Sequence, residues 1–488
     1  MAQIDNIKQV RLEKLKKLEN MGLNPFPAKT KRTHTIKEAL EGFTMLSKKE
    51  TEIWLAGRIM IQRGHGAILF LSLKDGTGDI QIILKKDVLG EKALALFKEV
   101  TDTGDFIEAK GVLIESKTKE KSVMASDFNI LTKTLLPMPE KFHGLQDEEE
   151  KLRKRYLDIL FNPEIKDLVL KRDLFWNSIR NFLKQRGFVE VETPALEVTA
   201  GGADARPFIT HHNALDLDVY LRISMGELWQ KKLMAAGLEK TFEIGRQFRN
   251  EGMSAEHLQD YTQMEFYWAY ADYEEGMKLV EEMYKYVALE TFKTLKFKIR
   301  GFEIDLGKKW ERYDYRDIIL KQTKIDILET SLLEIEKKLQ ALKIDYVKKG
   351  FNLSRGIDCL WKYCRKNIKG PGFLINLPVL VSPLAKRIEK NPEFTQRFQV
   401  IIAGSELGNG YSELNNPLDQ VQRFTEQQKL REAGDEEAQM YDEDFVEMLE
   451  YGMPPTCGFG LSERLFSFLM DKPARECQIF PLMRPKLS

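Results

Sequence analysis

Cysteine, net charge and long apolar runs are what this chain of 488 residues has least of. Its four cysteines, Cys359, Cys364, Cys457 and Cys477, show no paired CxxC spacing, which excludes a disulfide framework and points to a reducing compartment. Lysines plus arginines equal aspartates plus glutamates at 75 each, so no global basic charge announces a nucleic-acid partner. Any basic footprint must be local. No run approaches a membrane span, and the opening stretch MAQIDNIKQVRLEKLKKLEN has no apolar h-region. The expectation is a cytoplasmic protein with no membrane partner. No repeat or low-complexity segment stands out. What is present, 43% hydrophobic and 31% charged residues, fits a soluble globular chain of about two to three domains.

Residues 1–50 read as a basic N-terminal helix and connector. The helix runs from Asp5 to Met21, with Val10, Leu15, Leu18 and Met21 as apolar points, and Gly22 and the Pro25–Pro27 run stop it. It is either a solvated helix or an arm that touches phosphates. From 51 to 140 the pattern turns to strands: IWLAGRIMIQR, AILFLSLKDGTGDIQIILKK, DFIEAKGVLIESK and VMASDFNILTK, with Asp75-Gly76 as a hairpin signal. Such a series suggests a small barrel of the oligonucleotide-binding (OB) type. Residues 141–160 are densely charged and read as a linker. An amphipathic helix from Ile165 to Leu183 follows, ended by Gly187, and then a strand closed by Pro194. The stretch at about 290–370 reads as an accessory helical region with little local chemistry.

The densest chemistry lies in TFEIGRQFRNEGMSAEHLQDYTQMEFYWAY, Thr241 to Tyr270. It reads as two strands joined by a polar loop. Period two puts Glu243, Arg249 and Glu251 on one face, opposite Phe242, Ile244 and Phe248. On the second strand Tyr261, Gln263, Glu265 and Tyr267 share a face, opposite Thr262, Met264 and Phe266. An arginine suits a phosphate or carboxylate, carboxylates suit an ammonium, and a ring suits a flat base. The face is a site for a charged ligand or the solvated side of a hairpin.

Three segments resemble the signature motifs of the class II aminoacyl-tRNA synthetases: GFVEVETP ending at Pro194, FRNE at Phe248 to Glu251, and GFGLSERL at Gly458 to Leu465. Longer strings in the same order are similar to the lysine-specific branch, among them KFHGLQDEEEKLRKRYLD, GGADARPFITHHNALDLDVYLRIS, ELGNGYSELNNPLDQVQRF and FPLMRPK. The resemblance runs from about Val10 to Lys486. It implies an α+β chain, with an OB-type barrel at 51–140 for the anticodon and a class II catalytic domain at 161–488, an antiparallel sheet flanked by helices. The implied activity is ATP-dependent ligation of lysine to tRNA(Lys), with Mg²⁺, in a homodimer formed through the Pro194 segment.

The resemblance also assigns roles. Arg249 would bridge the lysine carboxylate and the α-phosphate, and Arg464 would cover the nucleotide from the opposite side; these two are the catalytic arginines. Glu227 and Glu265 would face the α-amino group, and Glu413 with Tyr267 would receive the ε-ammonium. Asn409 and Tyr411 would line the same pocket, with Gly202 in a loop closing on it or in a simple turn. Tyr261 would lie against adenine, Glu251 near its amine and His257 at the outer phosphates. Glu406 and Glu413 match Mg²⁺-binding acids, yet seven residues of an ideal strand would put them on opposite faces. A bulge near Gly408 or Gly410 is therefore expected. In the barrel, Arg63, Phe70 and Gln81 match anticodon-reading positions, although Phe70 in LFLSL could equally be core.

Several positions depart from the family pattern. Gln399 stands for a third Mg²⁺-associated glutamate, Glu256 for an arginine that meets the ATP tail, and Leu258 for an asparagine. The third motif is one residue short before Glu463-Arg464, and RISMGE before Glu227 is one residue long. A non-catalytic descendant or a protein-lysylating paralogue is the alternative reading; the barrel counts against the paralogue, and the retained acids and arginines against the descendant.

Overall fold

The computed structural model describes residues 2–64, 66–139, 147–252, 254, 256–348 and 350–486. The chain divides into two compact units, Met1–Gln146 and Asp147–Ser488. In the first, strands β1 (Ile53–Arg63), β2 (Ile68–Lys74), β3 (Asp79–Lys85), β4 (Phe106–Glu115) and β5 (Lys121–Thr132) close a barrel in the order β1-β2-β3-β5-β4. Alternation does the sorting. Leu69, Leu71 and Leu73 point into the core, while Ile68, Phe70 and Ser72 are half-buried on the outer face. This is the expected OB-type barrel, and in it Phe70 is an outer-face residue rather than core.

Helix α1 (Ala2–Asn20) corrects one expectation. Of its apolar points only Leu18 enters a core, against Val100 and Ile130; Val10 and Met21 are exposed. Three of its basic residues, Arg11, Lys14 and Lys17, are held by the barrel unit. Arg11 is buried and donates to Thr134 Oγ1 at 2.8 Å and to the Leu136 carbonyl at 2.9 Å, and Lys14 pairs with Asp102 at 2.7 Å. The helix packs on its own unit through Arg11, Lys14 and Leu18, while its outer face, with Lys8 and Lys16, is solvated.

The linker expected over 141–160 is helical in its described part, Glu148–Arg153 and Arg155–Phe161, while 141–146 lie outside the described residues. These helices belong to the second unit. Arg155 is buried, pairs with Asp158 at 2.7 Å and donates to the Glu476 carbonyl at 2.8 Å.

The second unit is built on an eight-stranded sheet. Its strands are β6 (Val189–Glu190), β7 (Lys240–Phe248), β8 (Asp260–Ala269), β9 (Glu311–Asp314), β10 (Gly372–Ile375), β11 (Arg397–Ile402), β12 (Ser405–Ser412) and β13 (Thr456–Ser462), in the order β9-β10-β11-β12-β13-β8-β7-β6. The central strands are antiparallel, as expected. Both edges, β6 on β7 and β9 on β10, pair parallel, so the sheet is mixed. Helices α2 (Pro163–Lys184) and α3 (Tyr273–Phe292) cover one face. Phe175, Ile179 and Phe182 from α2 and Val280, Met283 and Val287 from α3 meet Phe242, Met264 and Phe266 there. These last three are the apolar face that period two assigned to the hairpin. The other face carries the polar residues.

The accessory region is not purely helical. It contains the two-stranded hairpin Lys296–Ile299 and Phe302–Asp305, strand β9, and helices packed around a separate core of Ile319, Ile335, Leu339, Ile357 and Leu360. It also contributes side chains to the polar cavity, against the expectation of little chemistry there.

Candidate active site

Two rows of side chains cross the polar face of the sheet. Register aligns Gln399, Asn409, Gly460, Glu265 and Glu243 in one row and Arg397, Tyr411, Gly458, Tyr267 and Thr241 in the next. The middle strand, β13, gives glycine to both rows. A Cβ at Gly458 would meet the Glu413 carboxylate and the Tyr267 ring, and one at Gly460 would come within 3.0 Å of Glu265 Cγ. The glycines leave a trough, and it deepens into a cavity of about 630 Å³. Its walls include Glu227, Arg249, Tyr261, Glu265, Glu406, Glu413 and Arg464.

Three carboxylates are buried at one end: Glu227, Glu265 and Glu413. Glu265 accepts from the Met225 amide at 2.9 Å, from Gln263 Nε2 at 2.5 Å and from Tyr267 Oη at 3.0 Å. Burial and the neighbouring Glu227 push its pKa up. Glu227, first residue of the helix Glu227–Ala235, accepts from Tyr411 Oη. Lys231, one helical turn on, places its ammonium 2.7 Å from Glu227 and 2.6 Å from Glu413. Burial alone would push the Lys231 pKa down, but the two carboxylates outweigh it and hold it up. Glu413 receives no neutral donor among the described residues, and its pKa is pushed up by burial against the pull of Lys231. Several acids and one fixed cation leave this end poised for a further cation, since an unpaired buried charge is costly.

Gly226, just before the helix Glu227–Ala235, is left-handed at φ 65, where a Cβ would strike Thr193. Gly202 also has positive φ, 84, and a Cβ there would lie 2.8 Å from Glu227 Cβ. That close approach to the helix N-terminus favours the closing-loop reading over a simple turn.

The other end is cationic. Strand β7 stops at Phe248, so Arg249 and Glu251 lie in the following loop, past the strand on which alternation put them. Arg249 donates through Nε to the Ile223 carbonyl at 3.3 Å, and its guanidinium lies 5.8 Å from the Tyr261 ring centre. Tyr261 Oη accepts from Gln247 at 2.5 Å. Burial pushes the Glu251 pKa up, opposed by Arg249. His257 bonds Ser254 at 2.8 Å, and burial with nearby Arg464 pushes its pKa down to about 4, so it is neutral at pH 7. Arg464 opens helix α4 (Arg464–Leu469), and its buried Nε has no acceptor among the described residues. Arg464 lines the cavity. Glu463 turns away to Arg172 and Gln478.

The expected bulge is present. Val400 faces Gly408 but Ile401 faces Glu406, so Leu407 is the extra residue and Glu406 joins the face of Asn409. Glu406 accepts from Trp361 Nε1 at 2.5 Å and from Gln399 at 3.3 Å, with Arg365 at 3.5 Å. No group of three or more acidic, histidine or cysteine ligands forms among the described residues. Glu406 is an oxygen donor of the kind a nucleotide-bound Mg²⁺ takes beside phosphates and water. Glu413, the other acid of the expected pair, is engaged by Lys231.

In the barrel unit Arg63 faces Phe70 directly across β1 and β2, and both are outside the core. Gln81 lies diagonal to Phe70 on β3, buried, with Nε2 donating to Glu120 at 2.7 Å and Oε1 accepting from Ser122 at 3.0 Å. Five contributors were missed from sequence: Lys231, Arg300, Trp361, Arg365 and Arg397. Only Lys231 carried a signal, the i, i+4 spacing to Glu227.

Comparison with known proteins adds the following. The family described as tRNA synthetases class II (D, K and N) matches residues 147–484, and that of OB-fold nucleic acid binding domains matches 53–131. A lysine–tRNA ligase of Thermotoga maritima is 43% identical over 99% of this chain and 97% of its own length. One of Thermoanaerobacter is 44% identical over 99% and 97%, and one of Roseiflexus castenholzii 43% over 99% and 100%.

Proposed function

The chain belongs to the class II tRNA synthetases of the aspartate, lysine and asparagine group, and we propose from that premise how its residues carry out the ligation of lysine to tRNA. The reaction runs in two steps, and ATP is consumed in the first. A lysine carboxylate oxygen attacks the α-phosphorus; that O–P bond forms as the bond to the bridging oxygen breaks, and pyrophosphate leaves. A ribose hydroxyl at the tRNA end then attacks the acyl carbon, and AMP leaves. Positioning and charge neutralisation carry both steps, because the substrate supplies the nucleophile.

One observation carries the residue assignment: three buried carboxylates, two of them already sharing one fixed ammonium, stand at one end of a cavity whose other end is lined by arginines. Glu227 and Glu265 take the α-ammonium, and Glu413 with Tyr267 takes the ε-ammonium, Asn409 and Tyr411 closing the walls. An aspartate or asparagine side chain fits this end poorly. Arg249 bridges the carboxylate and the α-phosphate, Tyr261 stacks on adenine with Glu251 at its amine, and Arg464 and His257 lie along the phosphates. Neutral His257 offers a hydrogen bond rather than a charge. Mg²⁺ held by Glu406 would neutralise charge on the phosphates.

tRNA(Lys) is bound through the barrel, with Phe70 stacking and Arg63 and Gln81 bonding the anticodon bases. We also read the protein as a cytoplasmic homodimer. No helix among the described residues is long and apolar enough to cross a membrane. Val189, Leu196, Val198 and Ile209 are exposed around Pro194, an apolar surface suited to a second copy. Lysine-dependent exchange of pyrophosphate into ATP by the purified protein tests the reading. Exchange with lysine and not with aspartate or asparagine is expected; no exchange at any Mg²⁺ concentration would overturn it.

A further inference from the structure

Glu256 is a carboxylate in the place of an anion receptor. It stands on the loop after β7, within the cavity wall, and ion-pairs with both Arg464 and Arg300. Ser405 Oγ completes the ring at 3.2 Å, and Arg365 donates to the same hydroxyl at 3.2 Å. The donors outweigh burial and hold the Glu256 pKa down at about 2. Two guanidiniums and a hydroxyl converging on one oxyanion are the donors a phosphate takes.

Arg300 lies outside all three motifs. It sits at the turn of the 296–305 hairpin in left-handed backbone, φ 51, followed by Gly301 at φ 83. Its amide donates to Asp471 Oδ1 at 2.9 Å. Its guanidinium lies 4.1 Å from the ring centre of Phe468, and that of Arg464 lies 5.8 Å from the same ring. The cations thus ride on a hairpin, a helix and one shared aromatic face. Glu256 comes from a loop with no helix or strand among the described residues from 249 to 259. The donors stand on a hairpin and a helix, and the acceptor stands on a loop. The free Nε of Arg464 leaves a donor unspent at the same place.

We infer that this ring is the seat of the terminal phosphates of ATP, that Arg300 is a phosphate-binding residue, and that Glu256 holds the seat as an internal anion until a polyphosphate displaces it. The inference rests on the ATP reading above and extends it to a residue no motif contains. It also accounts for the acid at 256, where the family pattern has an arginine. The guanidinium missing from the loop is supplied by the hairpin.

Calorimetric binding of ATP and of AMP to the purified full-length protein separates the possibilities. Arg300→Met should weaken ATP about tenfold, the worth of one charge-assisted contact, and leave AMP almost unchanged. Arg300→Lys should recover most of the loss. Glu256→Gln should tighten ATP several-fold and leave AMP alone, and this second variant decides the matter if Arg300→Met fails to fold. Equal losses for ATP and AMP, no loss for either, or weaker ATP binding by Glu256→Gln would each overturn the inference and make the cluster a structural brace. Binding needs no turnover. Absence of lysine-dependent exchange would therefore sink the lysine reading while the ATP-over-AMP difference still reported on Arg300.

Discussion

The Lys231 ammonium lies 2.6 Å from the Glu413 carboxylate, buried behind the pocket that a lysine side chain is proposed to enter. The protein thus carries its own copy of the substrate's charge beside the acid that reads it. Glu413→Gln should raise the KM for lysine by about a hundredfold, about 3 kcal/mol, because a buried charge pair loses its anion. The Kd for ATP should stay within about twofold by the same separation of sites. Equal losses for lysine and ATP would contradict the assignment.

Lys231→Met removes the cation and strands two acids. Thermal unfolding should show a loss of about 3 kcal/mol, the usual penalty for half of a buried ion pair. Added lysine should restore more of that loss than it adds to the unaltered protein. A variant that lysine does not preferentially stabilise would place the substrate ammonium elsewhere.

Titration gives a third test. Burial raises Glu265 and Glu413 above the usual 4.5, so each binds its proton more tightly in the folded chain than in the unfolded one. These groups therefore subtract stability as pH climbs from 4.5 through their raised values. Lysine's ammoniums pull the same pKa values down again. Lysine binding should release protons and strengthen with rising pH until the ligand's own ammoniums deprotonate, the α-amino group before the ε-amino group. Calorimetry in two buffers of different ionisation enthalpy measures the release; uptake of protons would refute the scheme.

Phe70→Ala should weaken tRNA by about 1–3 kcal/mol, the range for one base–aromatic stack, and leave tRNA-independent exchange unchanged. Filter binding and exchange on one preparation decide it. Loss of exchange would mean that the ring supports folding after all.

Much of this site was legible in order along the chain, because period two is a local property. Phe242, Met264 and Phe266 went to the core and Glu265 and Tyr267 to the cavity, as alternation requires. The bulge at Leu407 was expected because the family resemblance paired Glu406 with Glu413 across a spacing that an ideal strand would split, although Glu413 pairs with Lys231. Partners were not legible. Tyr411 reaches Glu227 across 184 positions and Arg464 reaches Glu256 across 208, distances at which sequence spacing carries no geometric information. Helix α1 misled for a related reason. Its lysines and arginines look solvated in sequence, but Asp102 and the carbonyls that hold them arrive from the barrel.

The glycine strand β13 has a consequence for change of substrate. It contributes a floor of bare backbone, so the pocket's depth and charge are set by residues on the strands to either side and on the helix above. A longer or differently charged side chain could be admitted by altering Tyr267, Tyr411 or Lys231 without disturbing the hydrogen bonds that tie the sheet together. The architecture separates the backbone hydrogen bonds of the sheet from the side chains that decide which amino acid the enzyme takes.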